Sequence, residues 1–297
     1  MRVILAHVAS VATIVFAVSS MLSVGLAYRV DVILAPLLDA RAVFRALVAN
    51  FVLVPLLAIG IERLIPMDPP LALGLFLLAG AAGAPFLIKL ASAARTNLSL
   101  SAALLMILVP ATVAFLPFYV PLALAHPSLR GLDYVPSSVL AIGLPLLSTL
   151  MLPILVGLAV NAVAPSWAVR LVPIGERLAR ISLAVVILSS FGANFHELVR
   201  VLRSGAIAAE VLLILGAFAT GYLLTHRERS TVLGLGTAQR NIAGAMVIAS
   251  QGFANPDVLV MVTASALAGL FVLFPIAWLL SRRAPHVGLP TPESASA

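Results

Sequence analysis

The residues able to do chemistry are few, and they gather at one point. Gln239, Arg240 and Asn241 stand together inside an apolar stretch, with Thr237 just before them and Gly234, Gly236 and Gly244 close by. An arginine in the middle of a stretch long enough to cross a bilayer costs about 2.5–3.5 kcal/mol even on a lenient insertion scale, so it demands compensation. No acidic residue lies between Glu228 and Asp257, and Glu210 is the nearest acid set inside another apolar stretch. The expected compensation for Arg240 is therefore a bound anion or a water-filled cavity, with Gln239, Asn241 and Thr237 adding neutral hydrogen bonds. Lys89, one turn beyond Pro85, either joins this site or snorkels to the helix end nearby. Asn50, in the middle of a further stretch, is a buried amide suited to packing or to a polar site.

This is the chemistry of binding, not of catalysis. The chain has no HExxH pair, no GxSxG elbow and no phosphate-binding loop. Its five histidines (His7, His126, His196, His226 and His286) are scattered singly, which is poor material for a metal site. With no cysteine, disulfides, thiolate metal sites and thiol nucleophiles are excluded together. An enzyme is not expected, nor any cofactor.

The elements that must position these residues are transmembrane helices. Of 297 residues 62% are hydrophobic and 10% charged, with mean hydropathy +1.15, whereas a soluble domain carries about 25% charged residues. Nine apolar runs suit helices spanning a lipid bilayer: 4–26, 42–62, 71–94, 98–124, 138–163, 174–193, 206–225, 230–252 and 257–281. Run 4–26 is read as a retained helix, being long for a signal peptide and followed by no small-residue cleavage site. The tail, 284–297, is rich in Pro and Ser and is expected to be disordered.

The net charge of +7 does not indicate nucleic acid, because the basic residues sit at the ends of the runs instead of lining a groove. With the N-terminus outside, the inner ends carry Arg29, Arg41, Arg45, Arg95, Arg170, Arg177, Arg180, Arg227, Arg229, Arg282 and Arg283. The outer ends then carry Arg2, Arg63, Arg130, Arg200 and Arg203, a bias that predicts N-out, C-in in the cytoplasmic membrane.

Two runs look interrupted. The third contains Gly80, Ala81, Ala82, Gly83, Ala84 and Pro85, and proline lacks the amide that a continuous helix needs. The eighth contains the glycines and the polar triplet around Arg240. Five runs apart, the two cross the membrane in opposite directions. Interruptions at matching places of inverted halves point to the binding site of a secondary transporter. Small residues that merely allow close helix packing are the competing explanation.

The stretches GAAGAPFLIKLASAARTNLSLSAALL (Gly80 to Leu105), ANFVLVPLLA (Ala49 to Ala58) and GTAQRNIAG (Gly236 to Gly244) resemble the bile acid:sodium symporter family, over nearly the whole chain. The resemblance implies an all-α fold of inverted repeats with two broken, crossing helices. It places Gly83, Ala84, Pro85, Gly236 and Gly244 at the crossing. Runs 4–26, 138–163 and 174–193 would form a panel beside a core made of the other six. It also implies sodium sites, whose residues are missing here. The family's Ser-Asn pair falls on Ala84-Pro85, or on Leu87-Ile88, and 104–109 on the next helix offers no hydroxyl. The family's ExxxQN becomes Gly236 to Asn241, with Gly236 for the acid and Arg240 for the Gln; a further family Gln aligns with Asn50.

A hard cation needs a shell of oxygen ligands, and a fixed guanidinium at the same spot repels it. The expectation is a transporter of small organic anions that does not require sodium. Its substrate is held by Arg240, Gln239, Asn241, Thr237, Lys89 and Asn50, and its coupling ion, proton or sodium, is left open. A sodium symporter with backbone-carbonyl sites and a non-transporting receptor or assembly subunit are the alternatives.

Overall fold

A computed structural model of the chain describes residues 2–29, 39–132, 138–193, 199, 201, 203–225, 228–253 and 255–282. The described residues are all-helical: α1 (Arg2–Ala27), α2 (Ala40–Leu64), α3 (Pro69–Gly80), α4 (Leu87–Ala93), α5 (Leu98–Leu124), α6 (Val139–Val163), α7 (Pro165–Ala193), α8 (Ala206–Leu223), α9 (Glu228–Ala238), α10 (Ile242–Gly252) and α11 (Pro256–Ser281). Six of them, α1, α2, α5, α6, α8 and α11, are long and apolar enough to cross a membrane. The expected tail 284–297, and Arg200, Arg227 and Arg283 of the charge count, lie outside the described residues.

The other expected runs take different forms. Run 174–193 begins nine residues early, as α7, which carries Arg170, Glu176, Arg177 and Arg180. Runs 71–94 and 230–252 are each two half-length helices, α3/α4 and α9/α10, joined by non-helical backbone. The second break is not at the glycines. Gly234 and Gly236 lie within α9 and Gly244 in the first turn of α10, so the chain leaves the helix at Gln239–Asn241. A glycine alone costs only about 1 kcal/mol in a helix, which neighbours readily offset.

Prolines shape α2 and α6 in the same way. Each opens into a wide π turn, Ala49–Leu53 and Leu147–Met151, closed by a bond from the Val54 amide to the Ala49 carbonyl and from Leu152 to Leu147. Pro55 and Pro153 stand two residues beyond these turns, and a proline withholds one rung of the ladder. At the start of α2 the Asp39 carboxylate caps the Ala42 amide and pairs with Arg229 of α9, whose guanidinium holds the Asp39 carboxyl below the usual range.

Helices α1, α6 and α7 pack closely on one another, while α8 packs on α2, α9 and α11, and α3 on α5 and α11. The α1–α6 contact is backbone against backbone: a Cβ on Gly25 would stand 2.2 Å from the Ile154 carbonyl oxygen, and one on Gly157 2.6 Å from that of Leu22. In lipid, where helices gain nothing by hiding apolar surface from one another, such close approach supplies the attraction.

Gly25→Ala should therefore lower the melting temperature of the detergent-purified protein, because backbone atoms cannot yield. Gly60→Ala meets nothing within 4 Å and should hold or raise it, by up to about 1 kcal/mol of helix propensity. Equal melting of the two variants would contradict the packing.

Candidate functional site

The two breaks meet. The Asn241 amide donates to the Ala81 carbonyl at 2.9 Å, and the Asn241 side-chain Nδ2 donates to the Gly83 carbonyl at 2.9 Å. Its Oδ1 turns the other way and accepts the Gly244 amide at 3.0 Å, capping α10. One asparagine thus starts a half-helix and fastens it to the opposite break. Gly83 has φ +78°, and a Cβ there would lie 2.7 Å from the Val109 amide nitrogen, so both conformation and space demand glycine.

Thr112 of α5 holds the first break from its other side. Its hydroxyl donates to the Ala82 carbonyl and accepts the Ala82 amide, both at 2.9 Å. Threonine hydroxyls in helices commonly turn back to their own carbonyls, as Thr13 and Thr220 do here, so nothing in the sequence singled out Thr112.

Arg240 is buried, with 2% of its surface accessible. Its Nε donates to Leu78 O at 2.9 Å and Nη2 to Ala79 O at 2.6 Å, both in the last turn of α3. Nη1 donates to Thr237 O at 2.9 Å, near the end of α9, and to Asn50 Oδ1 at 2.8 Å. The Asn50 Nδ2 in turn donates to Ala46 O and to Thr237 Oγ1. The groups hydrogen-bonded to this charge are thus neutral oxygens of the protein itself, where the sequence suggested a bound anion or a water-filled cavity. They suit the site, since the last carbonyls of a helix have no partners of their own and form the negative end of its dipole. A single guanidinium serves two helix ends.

Of the residues singled out in the sequence, Arg240, Asn241, Asn50, Thr237 and Gly83 form this one network. Gly236 faces elsewhere: a Cβ on it would stand 2.5 Å from Leu104 Cδ2 and 3.2 Å from Leu87 Cδ2, so leucines fill the space opposite it. Gln239, Ala84 and Pro85 line a cavity of about 230 Å³ that reaches Arg240 and runs between α1 and α7 on one side and α4 and α11 on the other. Lys89 is not at the crossing. It lines the same cavity farther along, with its Nζ 3.7 Å from Glu176 Oε2 of α7. Glu176 and Arg180 also line this cavity; the sequence marked Arg180 only as a basic residue at an inner end, and nothing in it singled out Glu176.

Removing the guanidinium would orphan several buried oxygens at once, and each such loss costs about 1–3 kcal/mol. Arg240→Gln should destabilise the protein by about 3 kcal/mol or more, while Arg240→Lys keeps the charge and loses the fork, so it should lie between. Thermal unfolding in detergent checks the order. An Arg240→Gln protein melting like wild type would show that these bonds hold nothing together.

Among known proteins, the sequence profile of the Sodium Bile acid symporter family matches residues 14–201. No curated protein matches the chain. The matched region holds Asn50, the first break, Thr112 and Glu176, and it stops short of the second break with Arg240. With this match over well more than half its length, joined to membrane-length helices, the chain belongs to the sodium bile acid symporter family and is a multi-pass membrane protein of that transporter type.

Proposed function

We propose that the protein is a secondary transporter, not an enzyme, that carries small organic anions by alternating access without needing sodium. One observation carries the reading: a permanent cation, the Arg240 guanidinium, is bonded to the carbonyls where two broken helices meet. A carbonyl that already accepts from a guanidinium is a poor ligand for a metal ion, and the nearby charge opposes one further. Leu104 and Leu87, packed opposite Gly236, supply no oxygen ligand there. The same bonds weigh against a sodium symporter with backbone-carbonyl sites.

On this reading the chain has nine spans in inverted halves, with α3/α4 and α9/α10 as the two broken ones and the C-terminus in the cytoplasm of the inner membrane. Helices α1, α6 and α7 act as the panel, and α2 to α5 with α8 to α11 as the core. The hydrogen bonds of Arg240, Asn241 and Thr112 all run within that core, and the cavity lies on the boundary between the two groups. Rocking of one group on the other would expose the cavity to each side in turn. Net flux of an organic anion into liposomes carrying the purified protein would exclude a receptor or assembly subunit.

Because the chain has no cysteine, single introduced thiols can report topology without background. A membrane-impermeant maleimide added to intact cells should label Arg130→Cys and spare Arg95→Cys and Arg282→Cys. Labelling of Arg282→Cys from outside would refute the orientation. In the liposomes, replacing sodium with potassium should change the apparent affinity for a transported anion by no more than about twofold, well under the 1.4 kcal/mol of a tenfold change. A steep sodium dependence would end the sodium-free reading.

A further inference from the structure

The cavity has charges of its own, apart from the crossing. Glu176 Oε2 lies 3.7 Å from Lys89 Nζ on α4 and 3.7 Å from Arg180 Nη1 one turn along α7. All three residues line the cavity, Lys89 from the α4 side and Glu176 and Arg180 from the α7 side, so its lining bears two cations against one carboxylate. The distances exceed the roughly 2.7–2.9 Å of a tight charge-assisted bond. The side chains are about half exposed, at 43% for Lys89, 40% for Glu176 and 62% for Arg180. Pairs of this kind are held weakly, and an incoming carboxylate can replace one member. Four of the five N–H groups of Arg240 are engaged by backbone and Asn50, which leaves it at most one for a ligand.

Away from the charges the wall is apolar, with Phe16, Val24, Leu183 and Leu270. Ser20, Ser23 and Tyr28 also line it, and the Gln239 Oε1 is buried without a hydrogen-bond partner among the described residues, in a residue 8% accessible. At about 230 Å³ the space is smaller than the roughly 300–1,000 Å³ of pockets for drug-sized ligands. It suits a compact organic anion with an apolar body, not a large amphiphile.

We propose that Lys89 and Arg180 seat the anionic group of such a substrate and that Glu176 is the internal anion it displaces, so that Glu176 sets the affinity. This rests on the organic-anion reading above. If the triad only fastened α4 to α7, neutralising Glu176 would loosen the protein and do nothing for binding. If Glu176 competes with substrate, neutralising it frees two cations and tightens binding.

The test measures binding of benzoate and hexanoate, with benzamide as neutral control, to purified full-length protein at constant ionic strength. Glu176→Gln should bind both carboxylates about three- to tenfold more tightly than wild type, and Arg180→Gln and Lys89→Gln at least about threefold more weakly. Benzamide should not distinguish them. Affinity unchanged or lowered in Glu176→Gln overturns the proposal, and if wild type still binds benzoate the organic-anion reading survives it. Failure of wild type and Glu176→Gln alike to bind any carboxylate overturns both. A second measurement leaves the triad intact: in a single-thiol Ser20→Cys protein, where Ser20 lines the cavity, saturating benzoate should slow maleimide labelling. Unslowed labelling means that the anion sits elsewhere and equally defeats the proposal.

Discussion

A helix that stops inside a membrane leaves carbonyls and amides with no water to turn to, and on the proposed reading this protein contains two such stops, facing each other. Each unsatisfied group in hydrocarbon costs several kcal/mol, which is why broken helices at membrane depth occur only where protein or a wet cavity receives them. The polar residues at the crossing can be read as the answer to that constraint. Asn241 takes up Ala81 and Gly83, Thr112 takes up both groups of Ala82, and Arg240 takes up the ends of α3 and α9. Asn50 completes the set, and the π turn in α2 falls on the very residues around it.

The choice of arginine for this task has consequences that a neutral residue would not bring. Its planar fork presents donors in several directions from one rigid group, so it can serve oxygens on three elements at once, which an ammonium on a flexible stem does less well. The charge is also permanent and covalently attached. On the proposed reading, a carrier whose crossing is neutralised by a side chain does not have to wait for an ion to bind before its broken helices are stable. It gives up, in exchange, the energy that an ion gradient would supply through that site, because an occupant that never leaves has no differential affinity to contribute.

What the sequence disclosed follows from the same physics. A lone charge or a proline in an apolar run is conspicuous because it is expensive, so Arg240, the break before Pro85 and the buried Asn50 were all legible. What satisfied them was not. Backbone carbonyls are the same in every residue, and a sequence does not say that those of Leu78 and Ala79 point at a guanidinium 161 or more positions away. Thr112 was invisible for a related reason, since helical threonines ordinarily bond to their own backbone. The second break falls on the polar triplet of the interrupted run and not on the glycines beside it, because flexibility is not the same as interruption. The early start of α7 went unseen because Pro165, Ser166, Arg170 and Pro173 interrupt the apolar character of a segment that nonetheless continues as one helix.

Two sets of polar interactions bear, by their placement, on how the molecule can move. Those at the crossing are buried, at 0% accessibility for Asn50, Thr112, Thr237 and Asn241 and 2% for Arg240, and they join elements of the proposed core to one another. Breaking any of them leaves a donor or acceptor stranded without water. The pairing of Lys89 with Glu176 links α4 to α7 across the proposed boundary, at 3.7 Å and in reach of solvent. Its loss costs little, because water replaces each partner at once. A structure with costly bonds inside one group of helices and cheap ones between groups resists internal deformation and yields at the seam. The cavity lies along that seam, so on the proposed reading the polar contacts that must change for a solute to pass are the inexpensive ones.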